Sequence, residues 1–253
     1  MKRHCQNMKR VLRYVGKPVE KTNKNDLRVF LRGLKDRVDS STYKNYLASM
    51  KRFYRDFLER KGLVDSFQFP TIEIKPKIIP KKKVLRQVYR ELKTQRNRAL
   101  FLMFASSGLR HGEVLGLNRY ADVDYEKRML KPKKEGNQSK HVWVSFYNTE
   151  CERELNGYLN RREDDDKRLF PISRKQVHRI LEHACEQAGA DKITPQQLRV
   201  WFSMQMAELG VQDRFVDCLC GRTPKSVLAK HYTDYSPERL KRIYDKAGLK
   251  VLC

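Results

Sequence analysis

Apolar residues recur at steps of three and four in the first part of the chain, which is the spacing of an amphipathic helix. The strongest run extends from Ser41 to Lys61. Its predicted buried stripe contains Tyr46, Leu47, Met50, Phe53, Tyr54, Phe57 and Leu58. The opposite face carries bases and hardly any acid: Lys44, Lys51, Arg52 and Arg55. The pattern therefore predicts a helix with one apolar face and one cationic face.

A segment with three prolines follows this helical part. Residues 67–83 contain Pro70, Pro76 and Pro80, and their bases include Lys81 and Lys82. Each proline removes a backbone donor and biases the preceding residue toward extended geometry. We therefore predict a basic linker over residues 67–83. It would join a helical domain, residues 1–66, to a second domain, residues 84–253.

The second domain is predicted to be mainly helical with a small β-sheet. Residues 84–107 form two helices that end at Gly108. Val142, Val144 and Phe146 alternate with polar or amphipathic neighbours, as in a half-buried strand. The predicted strands are residues 123–130 and 140–146, flanking a turn at 135–137, and helices return from residue 150. A final amphipathic helix spans residues 237–248 and carries Leu240, Ile243 and Tyr244.

The amino-acid composition indicates what kind of partner the chain binds. The chain has 253 residues, with 55 Lys and Arg against 30 Asp and Glu and a net charge of +25. A solvated surface would balance bases with acids, so the imbalance favours a polyanion, and nucleic acid is the default. No apolar run reaches the length of a membrane span, and the first ten residues lack a signal-peptide core. The six cysteines have no zinc spacing, so we expect idle thiols, no metal and a cytoplasmic setting.

The first cluster with chemical potential is Gly108-Leu109-Arg110-His111-Gly112-Glu113. An apolar helix ends at Gly108, and Arg110 stands at the mouth of the next helix. A guanidinium so placed presents a planar fork to a phosphate, and a carboxylate one turn later, Glu113, can hold that fork in position.

Two further clusters follow in the second half of the chain. In Thr194-Pro195-Gln196-Gln197-Leu198-Arg199, Thr194 and Gln197 predict a capping box, and Gln196 and Arg199 lie one turn apart at the helix start. Gly221-Arg222 comes next, and Tyr232 is predicted to lie late on a short helix. Each cluster is weak evidence alone, and the order of the three is what is specific.

In that order the clusters resemble the catalytic domain of the tyrosine recombinases, the phage-integrase superfamily. The helical N-terminal part resembles the core-binding domain of that family, so the resemblance spans nearly the whole chain. It implies metal-independent cleavage and rejoining of duplex DNA, without a cofactor, by attack of Tyr232 and a 3′-phosphotyrosine intermediate. Arg110 and Arg199 would clamp the phosphate. Tyr235, just before Ser236-Pro237, is the rival nucleophile.

A lysine of the predicted hairpin is the general acid that the resemblance implies. Lys134 directly precedes the predicted turn and is our choice, while Lys133 and Lys140 stay open. Two positions depart from the family pattern, because Gln196 and Arg222 stand where the family usually has histidine, or tryptophan at the second. Integrases of archaeal viruses and plasmids resembling those of fuselloviruses often replace these histidines, so we expect this branch.

The resemblance also implies a tetramer on two DNA sites, in which the final helix docks into a neighbouring protomer. The alternative is that this helix folds onto its own domain. Three functions are the alternatives to a recombinase: a non-catalytic or weakly active DNA-binding protein of the same fold, a type IB topoisomerase, and an RNA-binding protein. The chain could also be a fragment of a longer integrase.

Overall fold

A computed structural model describes residues 2–72, 79–133, 143–222, 226–227 and 232–253. The chain divides into two compact units, Met1–Lys77 and Ile78–Cys253. Each unit has its own hydrophobic core. Across the described ranges, none of the helices combines the length and apolar character that crossing a membrane requires.

The first unit is entirely helical in its described part. Its elements are α1 (Lys2–Val15), a 3-10 turn (Val19–Lys21), α2 (Lys24–Lys35), α3 (Ser40–Lys51), a π-helical segment (Arg52–Phe57) and a second 3-10 turn (Lys61–Leu63). Asn23 caps α2 and Asp39 caps α3 through their side chains. Side chains from α1, α2, α3 and the π segment fill the core, so the predicted amphipathic pattern packs as expected.

The helix predicted over Ser41 to Lys61 is correct in type but wrong at its end and on one face. α3 continues without a break into the π-helical segment, and Glu59 at φ 56° lies beyond the end of the helix. A π turn holds more residues than an α turn, so it rotates the residues that follow it around the axis. Phe57, predicted to be buried, is consequently 75% exposed.

The described part of the second unit is mainly helical and begins with two helices. Its helices are α4 (Lys82–Glu91), α5 (Gln95–Ser107), α6 (His111–Leu115), α7 (Thr149–Leu159), α8 (Arg174–Gln187), α9 (Pro195–Glu208), α10 (Asp213–Leu219) and α11 (Pro237–Ala247). The helix pair over residues 84–107 and its end at Gly108 are confirmed. α4 starts at Lys82, inside the range predicted as linker, and residues 73–78 of that range lie outside the described residues.

A small antiparallel sheet packs beside α5. Its order is β1 (Val123–Asp124), β2 (Met129–Leu130) and β3 (Ser145–Phe146). The single strand predicted over residues 123–130 is wrong, because the chain turns back between β1 and β2. The Asp124 side chain accepts a hydrogen bond from the Lys127 backbone N–H at 3.0 Å, and Arg128 adopts φ 48°.

The alternation predicted for the last strand is also wrong. Val144 and Phe146 are buried, but so is Ser145, whose hydroxyl donates to the Ser107 carbonyl at 2.5 Å. That hydrogen bond satisfies the polar group inside the core. Val142 and the turn predicted at residues 135–137 lie outside the described residues.

The final helix packs on its own unit, which is one of the two arrangements expected from the sequence. Leu240 and Tyr244 are buried, and the Tyr244 hydroxyl donates to the Ser106 carbonyl at 2.8 Å. The segment after the helix is held by the Glu150 carboxylate, which accepts hydrogen bonds from the backbone N–H groups of residues 251, 252 and 253 at 2.6, 3.0 and 3.2 Å. α11 and the segment after it thus belong to the fold of the second unit.

Candidate active site

Arg110 lies at the mouth of α6, as the sequence predicts. Gly108 ends α5 with φ 64°, a left-handed conformation that suits glycine at a helix end. Two residues later, the Arg110 backbone N–H donates to Glu113 at 2.7 Å, and its Nη1 donates to the same carboxylate at 2.6 Å. Its Nη2 donates to the Gly221 carbonyl at 2.9 Å. Helix α6 and the chain after α10 therefore fix this guanidinium together.

Arg199 lies one turn into α9. The predicted capping box of Thr194 and Gln197 is confirmed and sets the start of this helix. Arg199 is only 4% exposed. Its Nη1 donates to the Gly108 carbonyl at 2.6 Å, and its Nη2 donates to the Cys220 carbonyl. Burial lowers the pKa of Arg199 below its ordinary value, but an arginine stays cationic in a protein.

The two guanidiniums meet at the end of α10. Arg199 and Arg110 donate to consecutive carbonyls, those of Cys220 and Gly221, which follow the last residue of the helix. Carbonyl groups at a helix C-terminus carry partial negative charge and stabilise nearby cations. Glu113 adds a full negative charge, since its Oε2 is 3.8 Å from Arg199 Nη1. These groups offset the repulsion between two neighbouring cations.

Arg222 is held by two residues that sequence analysis missed. Its Nη1 donates to the Asp217 carboxylate at 2.9 Å, and its Nη2 donates to the Ser203 hydroxyl at 3.0 Å. Ser203 itself donates to the Arg199 carbonyl at 3.1 Å. A signal existed in the sequence, because Ser203 follows Arg199 by four residues and so lies on the same helix face.

Gln196 occupies the exposed start of α9. It lies one turn before Arg199, on the face expected from the three-residue spacing. Its amide carries both a donor and an acceptor, but it has no proton to exchange near neutral pH.

Tyr232 is not in a helix, contrary to the prediction. Residues 228–231 lie outside the described residues, and Tyr232 begins an irregular stretch that leads to Ser236-Pro237. The residue before a proline is biased to extended geometry, which keeps the approach to α11 irregular. Tyr232 is 76% exposed, and within the described ranges it makes no hydrogen bond to Arg110, Arg199 or Arg222.

Tyr235 has a different environment. It is half-buried, and its ring packs edge-on against Phe215 at 6.0 Å between centroids. The rival tyrosine is thus part of the packing between α10 and the start of α11, whereas the Tyr232 side chain is exposed to solvent.

Of the three candidate lysines, only Lys133 is described. Its ammonium is 3.9 Å from the buried carboxylate of Asp122, and its side chain is largely exposed. Lys134 and Lys140 lie outside the described residues. The described ranges hold no group of three or more His, Cys, Asp or Glu residues arranged to bind a metal ion.

His111 directly follows Arg110 and is the histidine nearest to it in sequence. Its ring packs between Phe104 and His178, at 5.5 and 5.3 Å between centroids. Burial, helped by the charges of His178 and Arg174, lowers the pKa of His111 to about 4. His111 is therefore neutral near pH 7.

The bases of the predicted cationic face and of the predicted linker are candidate DNA contacts, and they differ in what they touch. Lys44, Arg52 and Lys81 are exposed. The Lys51 ammonium lies 5.1 Å from the ring centroid of Phe69. Arg55 pairs with Asp56 at 2.7 Å, so one acid does reach the cationic face. Lys82 donates to the Cys253 carbonyl at 2.7 Å within the second unit.

Comparison with known proteins gives a family match for each part of the chain. Residues 81–239 match the model described as the phage integrase family, and residues 1–62 match the phage integrase N-terminal SAM-like domain. Tyrosine recombinase XerC of Lactobacillus delbrueckii subsp. bulgaricus is 28% identical over 87% of this chain and 81% of its own length. Tyrosine recombinase XerA of Pyrococcus furiosus is 30% identical over 68% of this chain and 58% of its own.

The fold likeness extends over both units. The Tn1549 transposon integrase, in complex with a circular intermediate DNA, superposes with a TM-score of 0.70 at 15% identity, covering 92% of this chain and 90% of that one. The mainly helical fold with a small sheet, predicted from the sequence, is confirmed. From the family models and the arginine arrangement together, the chain belongs to the phage integrase family of tyrosine recombinases.

Proposed function

We propose that this chain is a site-specific DNA recombinase that cleaves and rejoins duplex DNA through a 3′-phosphotyrosine at Tyr232. The observation that carries the proposal is the fixed pair of guanidiniums. Arg110 and Arg199 donate to consecutive carbonyls and share the Glu113 carboxylate. Such a pair can bind the non-bridging oxygens of a phosphate, on which negative charge grows in the pentacoordinate transition state, and fixed positive charge there lowers the reaction barrier.

The N–H groups of Arg110 and Arg199 that have no partner within the described residues suit a phosphodiester. A guanidinium has five N–H groups, and the contacts described here engage two side-chain N–H groups of Arg110 and two of Arg199. The others can be offered to the non-bridging oxygens, on which negative charge grows as the nucleophile attacks. Planar guanidiniums match this geometry better than the point charge of lysine.

In the proposed step, the Tyr232 oxygen attacks phosphorus and forms a P–O bond as the bond to the 5′-oxygen breaks. The phenolic proton passes to solvent. The leaving 5′-oxygen takes a proton from a lysine ammonium, which solvent then restores. We assign this role to Lys134, with Lys133 and Lys140 as the alternatives. Attack of a 5′-hydroxyl on the phosphotyrosine reverses the step and rejoins a strand.

Gln196 and Arg222 are assigned as hydrogen-bond donors to the phosphate. Neither can move a proton as histidine does, so the lysine carries the whole of the acid catalysis. These two departures also support our placement of the chain among integrases of archaeal viruses and plasmids, acting in the cytoplasm of the host cell.

Duplex DNA is the proposed partner. We assign residues 1–66 to core binding, 84–253 to catalysis and the segment from residue 67 up to the start of α4 at Lys82 to the linker. Lys44, Lys51, Arg52, Arg55, Lys81 and Lys82 are assigned to contact phosphates. The excess of base over acid supports this. Binding should weaken with salt with a log–log slope near −0.9 for each neutralised phosphate. A tetramer on two sites, in which α11 stays packed on its own unit, completes the proposal.

The test is covalent capture without a known target sequence. The protein is incubated, with a chelator present, with a library of nicked duplexes whose arms are randomised, and DNA that stays bound through denaturation is amplified and sequenced. Enrichment of a defined sequence, and strand exchange between two copies of it, would support the proposal. Tight binding to duplexes without any adduct would overturn it in favour of a non-catalytic DNA-binding protein. Relaxation of supercoiled DNA without site preference would indicate a topoisomerase, and a preference for structured RNA would indicate an RNA-binding protein.

A further inference from the structure

We propose that Asp217 and Ser203 are positioning residues that hold Arg222 as a third phosphate-binding guanidinium of this site. The proposal rests on the proposed recombinase function, and it concerns two residues outside the motifs that identify the family. Arg222 is anchored from two helices at once. Its Nη1 contacts Asp217 on α10 at 2.9 Å, and its Nη2 contacts Ser203 on α9 at 3.0 Å.

The same segment is anchored through its backbone. The Arg222 N–H donates to the Asp217 carbonyl at 2.8 Å, and Gly221 adopts φ 56° just before it. Asp217 therefore holds both the main chain and the side chain of Arg222. Asp217 uses its backbone carbonyl for the first contact and its carboxylate for the second, whereas Glu113 binds both the backbone N–H and the guanidinium of Arg110 through its carboxylate.

Ser203 links Arg222 to Arg199. The Ser203 hydroxyl donates to the Arg199 carbonyl at 3.1 Å and accepts from Arg222. Its Oγ is also 3.3 Å from Cys220 Sγ, next to the carbonyl that receives Arg199 Nη2. The guanidinium of Arg222 is thereby held at a fixed place relative to the helix that carries Arg199.

The free donors of Arg222 face a solvent-accessible side. Its side chain is 42% exposed, against 5% for Arg199. The contacts with Asp217 and Ser203 engage two of its five N–H groups. A long exposed arginine has many rotamers, and ordering it beforehand removes an entropic cost from the transition state. This explains how arginine can serve where the family usually has histidine or tryptophan.

Removing the charge of Asp217 distinguishes a positioning role from a purely electrostatic one, because the two roles predict opposite effects. A carboxylate near a phosphate site opposes anion binding, so removing its charge should strengthen the attraction for DNA. Positioning predicts the opposite effect on chemistry. We expect Asp217→Asn to bind DNA at least as tightly as the wild type but to cleave about tenfold more slowly or worse.

The experiment is a mutant cycle on a suicide duplex recovered by covalent capture. Single-turnover adduct formation and DNA affinity are measured for Asp217→Asn, Asp217→Glu, Ser203→Ala, Arg222→Ala and the double variant Asp217→Asn/Arg222→Ala. Asp213→Asn, an exposed acid on the same helix, is the matched control. We expect Asp217→Glu to recover part of the rate, and the double variant to be no slower than Arg222→Ala alone. A wild-type rate for Asp217→Asn, or additive losses in the double variant, would overturn the proposal.

A second measurement does not depend on cleavage. The ¹⁵N–¹H heteronuclear NOE of the Arg222 side-chain Nε, assigned by its absence in Arg222→Lys, reports how ordered the guanidinium is. It should be high in the wild type and in Asp213→Asn, and low in Asp217→Asn. Equal values in the wild type and Asp217→Asn would contradict positioning. If the wild type forms no adduct on any duplex while the NOE difference is present, the recombinase function fails but the positioning of Arg222 stands.

Discussion

Glu113 contacts Arg110 twice. One carboxylate oxygen accepts from the guanidinium at 2.6 Å and the other from the backbone N–H at 2.7 Å. The second oxygen also lies 3.8 Å from Arg199. The carboxylate therefore orients one guanidinium and offsets the repulsion between two. The glutamate one turn after the first arginine therefore belongs to the proposed phosphate site.

Removing that carboxylate should impair both cleavage and folding. Glu113→Gln leaves two neighbouring cations without their shared anion, so we expect adduct formation to slow by about ten- to a hundredfold. Loss of the charge-assisted hydrogen bonds should reduce the free energy of unfolding by about 1–3 kcal/mol. Suicide-substrate rates and urea unfolding give the two values. The control is Glu182→Gln, which breaks an exposed pair with Lys192 and should change stability by less than about 1 kcal/mol. Equal effects of the two substitutions would contradict this role.

The Gly108 carbonyl accepts a hydrogen bond from Arg199, so a substitution at Gly108 should disturb both the backbone and the site. A Cβ at Gly108 would lie 2.4 Å from the Phe202 ring, in a backbone at φ 64°. Gly108→Ala must therefore strain the backbone and shift the carbonyl that receives Arg199. We expect a loss of about 3 kcal/mol in urea unfolding. Gly189→Ala is the matched control, since Gly189 has φ 59° and open space around it, so its cost should be only about 1 kcal/mol. Similar losses in both would show that the close approach to Phe202 does not matter.

The contribution of Gln196 should be small beside that of Arg199. Gln196 is exposed, whereas Arg199 bridges two carbonyls from inside the fold. Arg199→Ala and Arg199→Lys should each lower the cleavage rate by about a hundredfold or more, while Gln196→Ala changes it by only about threefold. Urea unfolding of each variant separates lost catalysis from lost folding. Equal cleavage defects in Gln196→Ala and Arg199→Ala would contradict the ranking.

Glu150 should make the second unit sensitive to acid. Burial alone would raise the pKa of this carboxyl, but hydrogen bonds from Val251, Leu252 and their neighbours outweigh it, so the pKa is lowered from the ordinary 4.5. A depressed folded-state pKa contributes stability that is present above the unfolded pKa and is lost as pH falls through the folded value. We therefore expect stability to decline below about pH 4.5, and to decline less steeply in Glu150→Gln. Urea midpoints at pH 7, 5, 4 and 3 test this.

The exposed Glu126→Gln on the β1–β2 turn is the control for the acid series. Its pH dependence should match that of the wild type. If Glu150→Gln also matches the wild type at every pH, the hydrogen bonds to the last residues do not stabilise the charged carboxylate.

Local signals account for the parts of the fold that the sequence predicts correctly. Thr194 and Gln197 predict the start of α9, and Gly108 predicts the end of α5. Both predictions succeed because helix caps are formed by residues that are close together in the sequence. Arg110, Glu113 and Arg199 are predictable as candidates because they lie at helix starts. The π segment after α3 has no such signature, and it moves Phe57 to the surface.

Tertiary contacts account for what the sequence did not predict. Ser145 is buried because the Ser107 carbonyl lies opposite it, a partner 38 positions away. Asp217 and Ser203 acquire their importance only when α9 and α10 meet at Arg222. The β1–β2 turn is an intermediate case, since Asp124 and the three charged residues at 126–128 are a usable turn signal in the sequence.

The most direct test of the central claim identifies the residue that becomes linked to DNA. Wild type, Tyr232→Phe and Tyr235→Phe are incubated with the captured suicide duplex, and the DNA-linked peptide is sequenced by mass spectrometry after digestion. We predict an adduct on Tyr232 in the wild type and in Tyr235→Phe, and none in Tyr232→Phe. An adduct that survives in Tyr232→Phe, or one lost only in Tyr235→Phe, would contradict the assignment of Tyr232 as the nucleophile.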